Sequence, residues 1–405
     1  MDIISKIREE VPALNQKIYG RDLVYFDNAA TIQKPSSVIE MINRMNGATN
    51  ANIHRAVHKI SVDATELYEK ARENVRAFIN AKDREEVIFT SGATMSLNLL
   101  ANIFAGTKIN RNDIILVSQA EHHSNIVPWQ MLAQRVGASV IAIPLMEDGQ
   151  LDMDHFRKLM SERVKLVSIA QISNVLGLVY PVKEIVEIAH SFGAEVVVDG
   201  AQGVVHEDVD VQELDCDYYV FSGHKLYAAT GIGILYGKRN LLEELPPFFG
   251  GGDMVDTVSF SGTTYAELPL KYEAGTPNFV GAASFAPAIE FAVKMRDRQI
   301  EDHLLLLTDK MEEGLSRIEG LKIYGEGEGK IPLFSFSVEG VHHSDIAQLL
   351  DKMGIAVRSG LMCAEPLIDS LGQTGLVRAS LAPYNTLQEV DYFFTSLNRA
   401  INMLR

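Results

Sequence analysis

The feature that most constrains the fold of this chain is a regular alternation, from about residue 60 onward, of segments with helical periodicity and short apolar runs. The runs in the first part of the chain are Glu86 to Thr90, Ile114 to Val117, Val140 to Pro144, Lys165 to Ala170, Glu195 to Asp199 and Tyr218 to Phe221. Short apolar runs between helices are typical of strands that are buried on both faces of a parallel sheet. The sequence therefore predicts an α/β fold with a largely parallel sheet.

The pattern changes after the apolar run Gly231 to Tyr236. A triple glycine at 250–252 precedes a hairpin-like stretch with a turn near Ser261 and Gly262. A helical segment from Ala282 to Met311 follows, and after it come three strand-like runs, Leu333 to Val338, Ile355 to Arg358 and Leu376 to Leu381. We predict an N-terminal segment (1–20) that packs with the small domain, a large domain (21–285) with a hairpin excursion at about 250–272, and a small C-terminal α+β domain (286–405).

Charge and composition exclude some classes of partner. The formal net charge of −16 over 405 residues argues against nucleic acids and anionic membranes as main partners. The first ten residues carry charges where a signal peptide needs an apolar core, and no apolar stretch is long enough to span a membrane. The 2 cysteines are too few for a disulfide scaffold. We expect a cytoplasmic protein, and we assign no metal ligands.

Polar residues follow several of the predicted strands at the point where each strand ends. They are Thr90, Gln119, Gln171, Asp199 and Ser222. In parallel α/β sheets, ligands bind beyond the carboxyl ends of the strands. These residues are therefore expected to share one ligand site.

Two motifs indicate a pyridoxal-phosphate site at this edge. Lys225 lies in S-G-H-K-L-Y and could hold the cofactor aldehyde as a Schiff base. Asp199 ends the run V-V-V-D, where an ionised carboxylate without a partner would be costly to bury. A protonated pyridine nitrogen would supply the missing counter-charge.

Further motifs suggest contacts to the rest of such a cofactor. The strand, Gly92 turn and helix start of T-S-G-A-T would offer a phosphate the Ala93 amide and the Thr94 side chain, although an ordinary helix cap is the alternative. Ser222 and His224 could complete the same cup. In A-E-H-H-S-N, an imidazole of His122 or His123 could stack on a flat ring, or both could be polar residues at a helix start.

The two cysteines have different contexts. Cys216 directly precedes a strand-like run, which predicts a packed and inert thiol. Cys363 lies in R-S-G-L-M-C-A-E-P-L, where Gly360 and Pro366 indicate a loop. Such a loop could present a reactive thiol to a substrate.

The ordered set of motifs resembles the Suf-type (group II) cysteine desulfurases, which are fold-type I pyridoxal-phosphate enzymes. The resemblance covers nearly the whole chain. It rests on Y-F-D-N-A-A-T-I-Q-K-P, N-I-H-R, A-E-H-H-S-N-I-V-P-W, Q-I-S-N-V-L-G, D-G-A-Q, F-S-G-H-K-L-Y, E-A-G-T-P-N and V-R-A-S-L-A-P-Y-N-T. It implies a large, mostly parallel sheet domain of the seven-stranded type and a smaller α+β domain with the Cys363 loop.

The resemblance also implies a role for each candidate residue. Lys225 would be the Schiff-base lysine, Asp199 would contact the pyridine nitrogen, and His122 would stack over the ring. The other implied cofactor contacts are Gln202 and Asn174 at the ring hydroxyl or substrate carboxylate, Thr94, Ala93, Ser222 and His224 at the phosphate, and Thr276 reaching the phosphate from the other subunit of a dimer.

Arginines are the implied ligands of the substrate. Arg378 would bind the substrate carboxylate through two hydrogen bonds. His54, Arg55 and Arg358 are secondary candidates, and we expect Arg358 also to supply a positive field that favours the Cys363 thiolate. For each arginine taken alone, a structural salt bridge is the commoner explanation.

The implied activity is the pyridoxal-phosphate-dependent removal of sulfur from L-cysteine, which gives L-alanine and a persulfide on Cys363. The resemblance implies a homodimer that passes the sulfur to a small acceptor protein of the Suf system for iron–sulfur cluster assembly. Alternatives are a selenocysteine lyase, another pyridoxal-phosphate-dependent C–S lyase, or a non-catalytic protein that keeps the fold. His342 and His343 could help to dock the acceptor or could cap a helix.

The chain departs from the family pattern at a few positions. Leu361 and Met362 stand where relatives often carry histidines, and Ala228-Ala229 replaces a Gly-Pro pair behind the lysine. Met95 stands where the phosphate turn usually has an acidic residue. These differences put imidazole-assisted activation of the thiol in doubt but leave the cofactor motifs in place.

Overall fold

A computed structural model describes residues 3–55, 57–327 and 329–405 of the chain. Its α-helices are α1 (Ile3–Glu9), α2 (Ser36–Gly47), α3 (Lys59–Phe78), α4 (Ala93–Phe104), α5 (Val127–Val136), α6 (Met153–Leu159), α7 (Val182–Ser191), α8 (Gly203–His206), α9 (Val211–Leu214), α10 (Arg239–Glu244), α11 (Phe279–Ala283), α12 (Phe285–Lys294), α13 (Arg298–Ser316), α14 (His343–Lys352), α15 (Glu365–Ser370) and α16 (Leu387–Leu404). Its strands are β1 (Lys17–Ile18), β2 (Arg21–Asp22), β3 (Val24–Tyr25), β4 (Val87–Thr90), β5 (Ile114–Ser118), β6 (Ser139–Ile143), β7 (Val164–Ala170), β8 (Glu195–Asp199), β9 (Tyr218–Ser222), β10 (Gly233–Gly237), β11 (Val255–Ser259), β12 (Gly262–Tyr265), β13 (Leu321–Tyr324), β14 (Leu333–Val338), β15 (Ile355–Ala356), β16 (Arg358–Gly360) and β17 (Leu376–Ser380).

The strands between Val87 and Gly237 form a 7-stranded sheet in the order β4-β10-β9-β8-β7-β5-β6. Strands β9, β8, β7, β5 and β6 are parallel neighbours, whereas β10 pairs antiparallel with both β9 and β4. The predicted α/β fold with its seven-stranded, mostly parallel sheet is confirmed, and the sheet is mixed because β10 alone runs against the other strands. Each parallel pair needs a long crossover connection, which accounts for the helices between the strands.

The apolar runs of the sequence became these strands because both sheet faces are covered. The side chains of β8 from Val196 to Asp199 are all buried, as are those of β9 and nearly all of β7. The polar ends of the strands meet at one edge, where Thr90, Asp199 and Ser222 are the last residues of their strands. Asp199 and Ser222 line one cleft, whereas Thr90, Gln119 and Gln171, which were expected to share it, do not.

A second, 4-stranded sheet in the order β13-β14-β17-β16 lies in the C-terminal part of the chain, and all its pairs are antiparallel. The N-terminal part of the chain reaches this sheet through a bridge between Asp27 and Ser380 of β17, and β3 pairs with β15 in a separate 2-stranded sheet. Phe26 packs in the same core as Phe334 and Phe393. Within residues 3–20, Arg8 Nη1 donates to the Tyr384 carbonyl at 2.8 Å and Tyr19 Oη donates to Asp351 at 3.1 Å. The division into three segments remains a prediction.

The predicted hairpin is formed by β11 and β12, which pair antiparallel around Phe260 and Ser261. Val258, Phe260 and Tyr265 are exposed on it. Among the described residues, no helix has the length and apolar character needed to cross a bilayer.

Candidate active site

A cleft of about 540 Å³ opens at the carboxyl edge of the 7-stranded sheet, and Arg358, residues 361–363 and Arg378 from the C-terminal part of the chain form its other wall. It gathers twelve of the candidate residues: Ala93, Thr94, His122, Asn174, Asp199, Gln202, Ser222, His224, Lys225, Arg358, Cys363 and Arg378. Residues from strand ends far apart in sequence therefore share one site, as predicted for a parallel sheet. His54 and Thr276 do not line the cleft.

Lys225 and Asp199 form the charged centre of the cleft. Burial lowers the pKa of Lys225 to about 8, an effect that Asp199 opposes and the neighbouring Arg378 strengthens. Burial raises the pKa of Asp199, although Lys225 and a hydrogen bond of 3.0 Å from the Ala201 N–H favour its charged form. The lysine is thus poised to lose its proton near neutral pH, and the carboxylate is suited to a further cation in the cleft.

The turn between β4 and α4 forms one end of the cleft. The Ala93 N–H donates to Ser222 Oγ at 2.9 Å, which ties the start of α4 to the end of β9. Gly92 has φ 147°, and a Cβ atom on Gly233 would lie 2.4 Å from the Gly92 Cα, so the close approach of β10 requires glycine. Thr94, one residue into α4, is exposed at the helix N-terminus, where an anion is favoured.

Two histidines beside this centre are neutral. Burial lowers the pKa of His122 and of His224 to about 4, and Lys225 contributes to both shifts. The Ser124 N–H donates to His122 Nδ1 at 3.1 Å, so the ring proton of His122 is on Nε2. His122 can therefore donate one hydrogen bond and offer a flat, uncharged face to a ligand ring.

Sequence reasoning missed Glu121, which lies directly before His122 and is 1% exposed. Its carboxylate accepts from Ser118 Oγ at 2.5 Å, from Asn125 Nδ2 at 2.7 Å and from the Ala170 N–H at 2.9 Å. Burial still raises the pKa of Glu121 to about 7, and Asp199 adds to the shift. Glu121 joins the ends of β5 and β7 beneath the cleft. Its burial is the feature that marks it as part of the site.

Arg378 enters the cleft from β17 and is 3% exposed. It donates from Nη1 to the Asn174 carbonyl at 2.7 Å and from Nη2 to Asp27 Oδ1 at 3.4 Å. Its buried Nε has no hydrogen-bond partner within the described structure. Burial lowers the pKa of Arg378 to about 10. A buried cation with an unused donor is well suited to an anionic ligand group.

Asp27 was also missed by sequence reasoning. Its carboxylate lies 3.1 Å from Arg358 Nη2 and 3.4 Å from Arg378 Nη2, so it bridges the two arginines. Arg358 is therefore both in the cleft and in a salt bridge, and Asp27 partly offsets its positive field. The expected effect of Arg358 on Cys363 remains a prediction.

Gln202 and Asn174 are buried polar residues at the cleft wall. Gln202 Nε2 donates to the Ala29 carbonyl at 2.8 Å, which leaves its Oε1 available to the cleft. Asn174 Nδ2 donates to the Met362 carbonyl at 2.9 Å. Asn174 thus contacts both the arginine and the cysteine loop, and its expected contact with a cofactor or substrate remains a prediction.

The thiol of Cys363 is exposed in the cleft, whereas Cys216 is buried as predicted. Lys225 and Arg378 both interact electrostatically with Cys363. Met362 and Cys363 have φ 48° and 54°, a left-handed conformation that costs about 1–3 kcal/mol for each non-glycine residue. The surrounding hydrogen bonds must hold this loop in place.

The remaining candidates lie elsewhere. His54 bonds through Nε2 to Glu69 at 3.1 Å, Arg55 pairs with Asp253, and Thr276 is exposed between β12 and α11. His342 caps α14 by accepting from the Ser344 N–H at 3.3 Å.

The substitution of Ala228-Ala229 for Gly-Pro is accommodated without strain at either alanine. It is the preceding Tyr227 that takes positive φ, at 61°, rather than one of the two alanines.

The donor set fits pyridoxal phosphate. An amine of lowered pKa, a buried carboxylate of raised pKa, a neutral imidazole and a helix N-terminus surround one cleft. These groups match an aldehyde, a pyridine nitrogen, a planar ring and a phosphate, respectively.

Comparisons with known proteins agree with this site. The family model "Aminotransferase class-V" matches residues 24–393. A probable cysteine desulfurase of Vibrio cholerae is 47% identical over 401 residues, covering 99% of both chains. The crystal structure of the cysteine desulfurase CsdA of Escherichia coli has a TM-score of 0.92 at 40% identity and 100% coverage of both chains. The cysteine desulfurase of Thermococcus onnurineus has a TM-score of 0.93 at 36% identity, covering 100% of this chain and 99% of the other. Since the match extends over almost the whole sequence and structure, the chain belongs to the aminotransferase class-V family of fold-type I, pyridoxal-phosphate-dependent enzymes.

Proposed function

We propose that the protein is a cysteine desulfurase of the Suf type, which converts L-cysteine to L-alanine and takes up the sulfur as a persulfide on Cys363. The observation that carries this proposal is the exposed Cys363 thiol in the same cleft as Lys225 and Arg378. A direct C–S lyase needs no protein thiol at that place.

Pyridoxal phosphate, when bound, supplies an aldehyde that condenses with amines and a ring that accepts negative charge from the substrate Cα. Asp199 would contact the pyridine nitrogen, His122 would cover the ring, and the phosphate would be held by Thr94, the Ala93 amide, Ser222 and His224. Gln202 and Asn174 would complete the cofactor or substrate contacts.

The chain's own residues then divide the work on the substrate. Arg378 binds the substrate carboxylate through its guanidinium, and Arg358, which is paired with Asp27, lies at the rim of that subsite. Lys225, whose pKa is about 8, can remove a proton from the substrate Cα at Nζ near neutral pH.

Cys363 carries out the sulfur transfer. Its thiolate attacks the substrate sulfur, so that an S–S bond forms as the substrate C–S bond breaks. The electron pair of the broken bond stays on the substrate carbon, which is protonated and released as alanine. The sum of the reaction is cysteine plus protein thiol to alanine plus protein persulfide, and it needs no external oxidant.

The test is alanine formation from L-cysteine by the pyridoxal-phosphate-loaded protein with a reductant, with Cys363→Ser as the matched variant. We expect turnover by the native protein and none by the variant. Equal alanine formation by both, or pyruvate as the product, would instead support a C–S lyase. Selenocysteine as substrate separates a selenocysteine lyase from a desulfurase. A selenocysteine lyase would still act on selenocysteine in the Cys363→Ser variant.

The proposal extends to assembly and partners. We propose a cytoplasmic homodimer in which the exposed hairpin, Thr276, His54 and Arg55 lie near the partner's site, and which hands its sulfur to a small Suf-type acceptor for iron–sulfur cluster assembly. The exposed Val258, Phe260 and Tyr265 support a buried hairpin in the dimer. Sedimentation should give twice the mass of the chain, and a monomer that is fully active would contradict the dimeric site.

A further inference from the structure

The loop that carries Cys363 is held in a strained conformation by the large domain. Met362 and Cys363 are consecutive non-glycine residues in the left-handed region, which persist only where the surroundings hold them. The His123 N–H donates to the Cys363 carbonyl at 2.7 Å, and the Glu365 N–H donates to His123 Nε2 at 2.9 Å. His123 therefore forms hydrogen bonds to the backbone on both sides of Ala364, one through its own backbone N–H and one through its ring.

We propose that His123 is a positioning residue for sulfur transfer, because it fastens the Cys363 loop to the edge of the large sheet. The proposal rests on the proposed function, in which Cys363 is the nucleophile. His123 does not line the cleft, its ring lies 6.4 Å from that of His122, and both of its long-range hydrogen bonds go to the Cys363 loop.

The ring bond fixes the state of the imidazole. An Nε2 atom that accepts from a backbone N–H carries a lone pair, so the His123 ring is neutral with its proton on Nδ1. His122 has the opposite tautomer, because its Nδ1 accepts from the Ser124 N–H. The two adjacent histidines thus have separate tasks, one facing the cleft and one facing the loop.

The contact is not a local turn. The bond between His123 and Glu365 joins residues 242 positions apart, and it connects the segment after β5 with the start of α15. Asn174 adds the only other side-chain bond to this part of the loop that the described structure contains, at the Met362 carbonyl. The sequence around Cys363 lacks the histidines that would offer further polar contacts there, so the anchoring depends on these two residues.

The test compares His123→Ala with His123→Gln in the pyridoxal-phosphate-loaded protein. Glutamine places an amide oxygen where Nε2 lies and keeps an acceptor for the Glu365 N–H, whereas alanine removes it. His155→Ala, at an exposed histidine on α6, is the matched control. Hydrogen exchange of the backbone in 361–366 is measured by mass spectrometry, and the kinetics of alanine formation are measured on the same samples.

We expect exchange in 361–366 to be about 3- to 10-fold faster in His123→Ala, the range for loss of one ordinary hydrogen bond. We expect kcat for alanine formation to fall in that variant while KM stays within about twofold of native, since the carboxylate subsite at Arg378 is untouched. His123→Gln should restore both the exchange rate and kcat, and His155→Ala should match the native protein.

Native exchange in His123→Ala, or a His123→Gln variant as impaired as His123→Ala, would overturn the proposal. The exchange measurement needs no substrate. If the native protein forms no alanine, the proposed function fails while the exchange comparison still decides whether His123 anchors the loop.

Discussion

Replacing Lys225 by methionine should make the cofactor-free protein more stable at neutral pH. The substitution removes the ammonium group and keeps an unbranched side chain of similar length. Burial lowers the pKa of Lys225 from 10.5 to about 8, so the folded state binds the lysine proton less tightly than the unfolded state does. A tenfold change in an ionisation constant corresponds to about 1.4 kcal/mol, so the lowered pKa of Lys225 destabilises the native protein relative to Lys225→Met by about 3 kcal/mol at pH 7.

The pH range over which Lys225 destabilises the folded state follows from the same pKa shift. Below pH 8 the lysine is charged in both states, and folding bears the full penalty of burying the charge. Between pH 8 and 10.5 the unfolded state binds more protons than the folded state, so the stability of the native protein rises with pH. The advantage of Lys225→Met should therefore shrink to about 1–1.5 kcal/mol at pH 9.5 and vanish above pH 10.5.

The assay is urea unfolding of the cofactor-free native and variant proteins at pH 7 and pH 9.5, with the free energy of unfolding compared at each pH. Lys238→Met is a control of opposite sign, because Asp215 and Asp217, at 2.6 and 3.2 Å, raise the pKa of Lys238 despite its partial burial. That variant should be less stable than native at pH 7. A Lys225→Met protein that is less stable than native at pH 7, or a gain that does not shrink with pH, would refute the reasoning.

Other predictions concern the substrate subsite, the core and the thiols. Arg378→Lys should raise KM for L-cysteine about 10- to 100-fold, the range for a lost charge-assisted hydrogen bond. Arg358→Lys, at the half-exposed rim, should change KM far less. Equal effects of the two variants in steady-state assays would contradict the assignment of the substrate carboxylate to Arg378. Glu273→Gln should lower the free energy of unfolding by about 3–5 kcal/mol, because Glu273 accepts hydrogen bonds from Arg72, Tyr68 and the Phe89 N–H in the core. The control Glu243→Gln, in an exposed ion pair, should leave the free energy of unfolding unchanged in the same urea titration. Iodoacetamide should modify the native protein at Cys363 alone, because Cys216 is fully buried and burial raises the pKa of its thiol. If peptide mapping finds Cys216 modified before the protein unfolds, this part of the core opens.

Much of the fold could be predicted because its strands are buried on both faces. The run Glu195 to Asp199 became β8 with the expected bounds, and Leu333 to Val338 became β14 in the same way. The direction of a strand leaves no trace in its composition, so the reversal of β10 was not predictable. The predicted run Ile355 to Arg358 divided into β15 and β16, because its first residues pair with β3 and its last residue pairs with β17.

The site was predictable where a motif carries its own chemistry, as for Lys225, Asp199 and Cys363. Asp27 was missed because its significance arises only when Arg378, 351 positions away, is brought beside it. Glu121 was missed because an acidic residue next to two histidines reads as solvent-exposed until its burial is known. His123 looked like a helix-start residue because its partner, the Glu365 N–H, is a backbone group that no motif reveals.

The most direct test of the account is a single turnover without reductant. Pyridoxal-phosphate-loaded protein is mixed with L-cysteine, alanine is quantified, and the peptide that contains Cys363 is analysed by mass spectrometry for one added sulfur atom. The account predicts alanine equal to the number of Cys363 persulfides, and neither product in Cys363→Ser. Alanine without sulfur on Cys363, or sulfur released while Cys363→Ser still turns over, would contradict it.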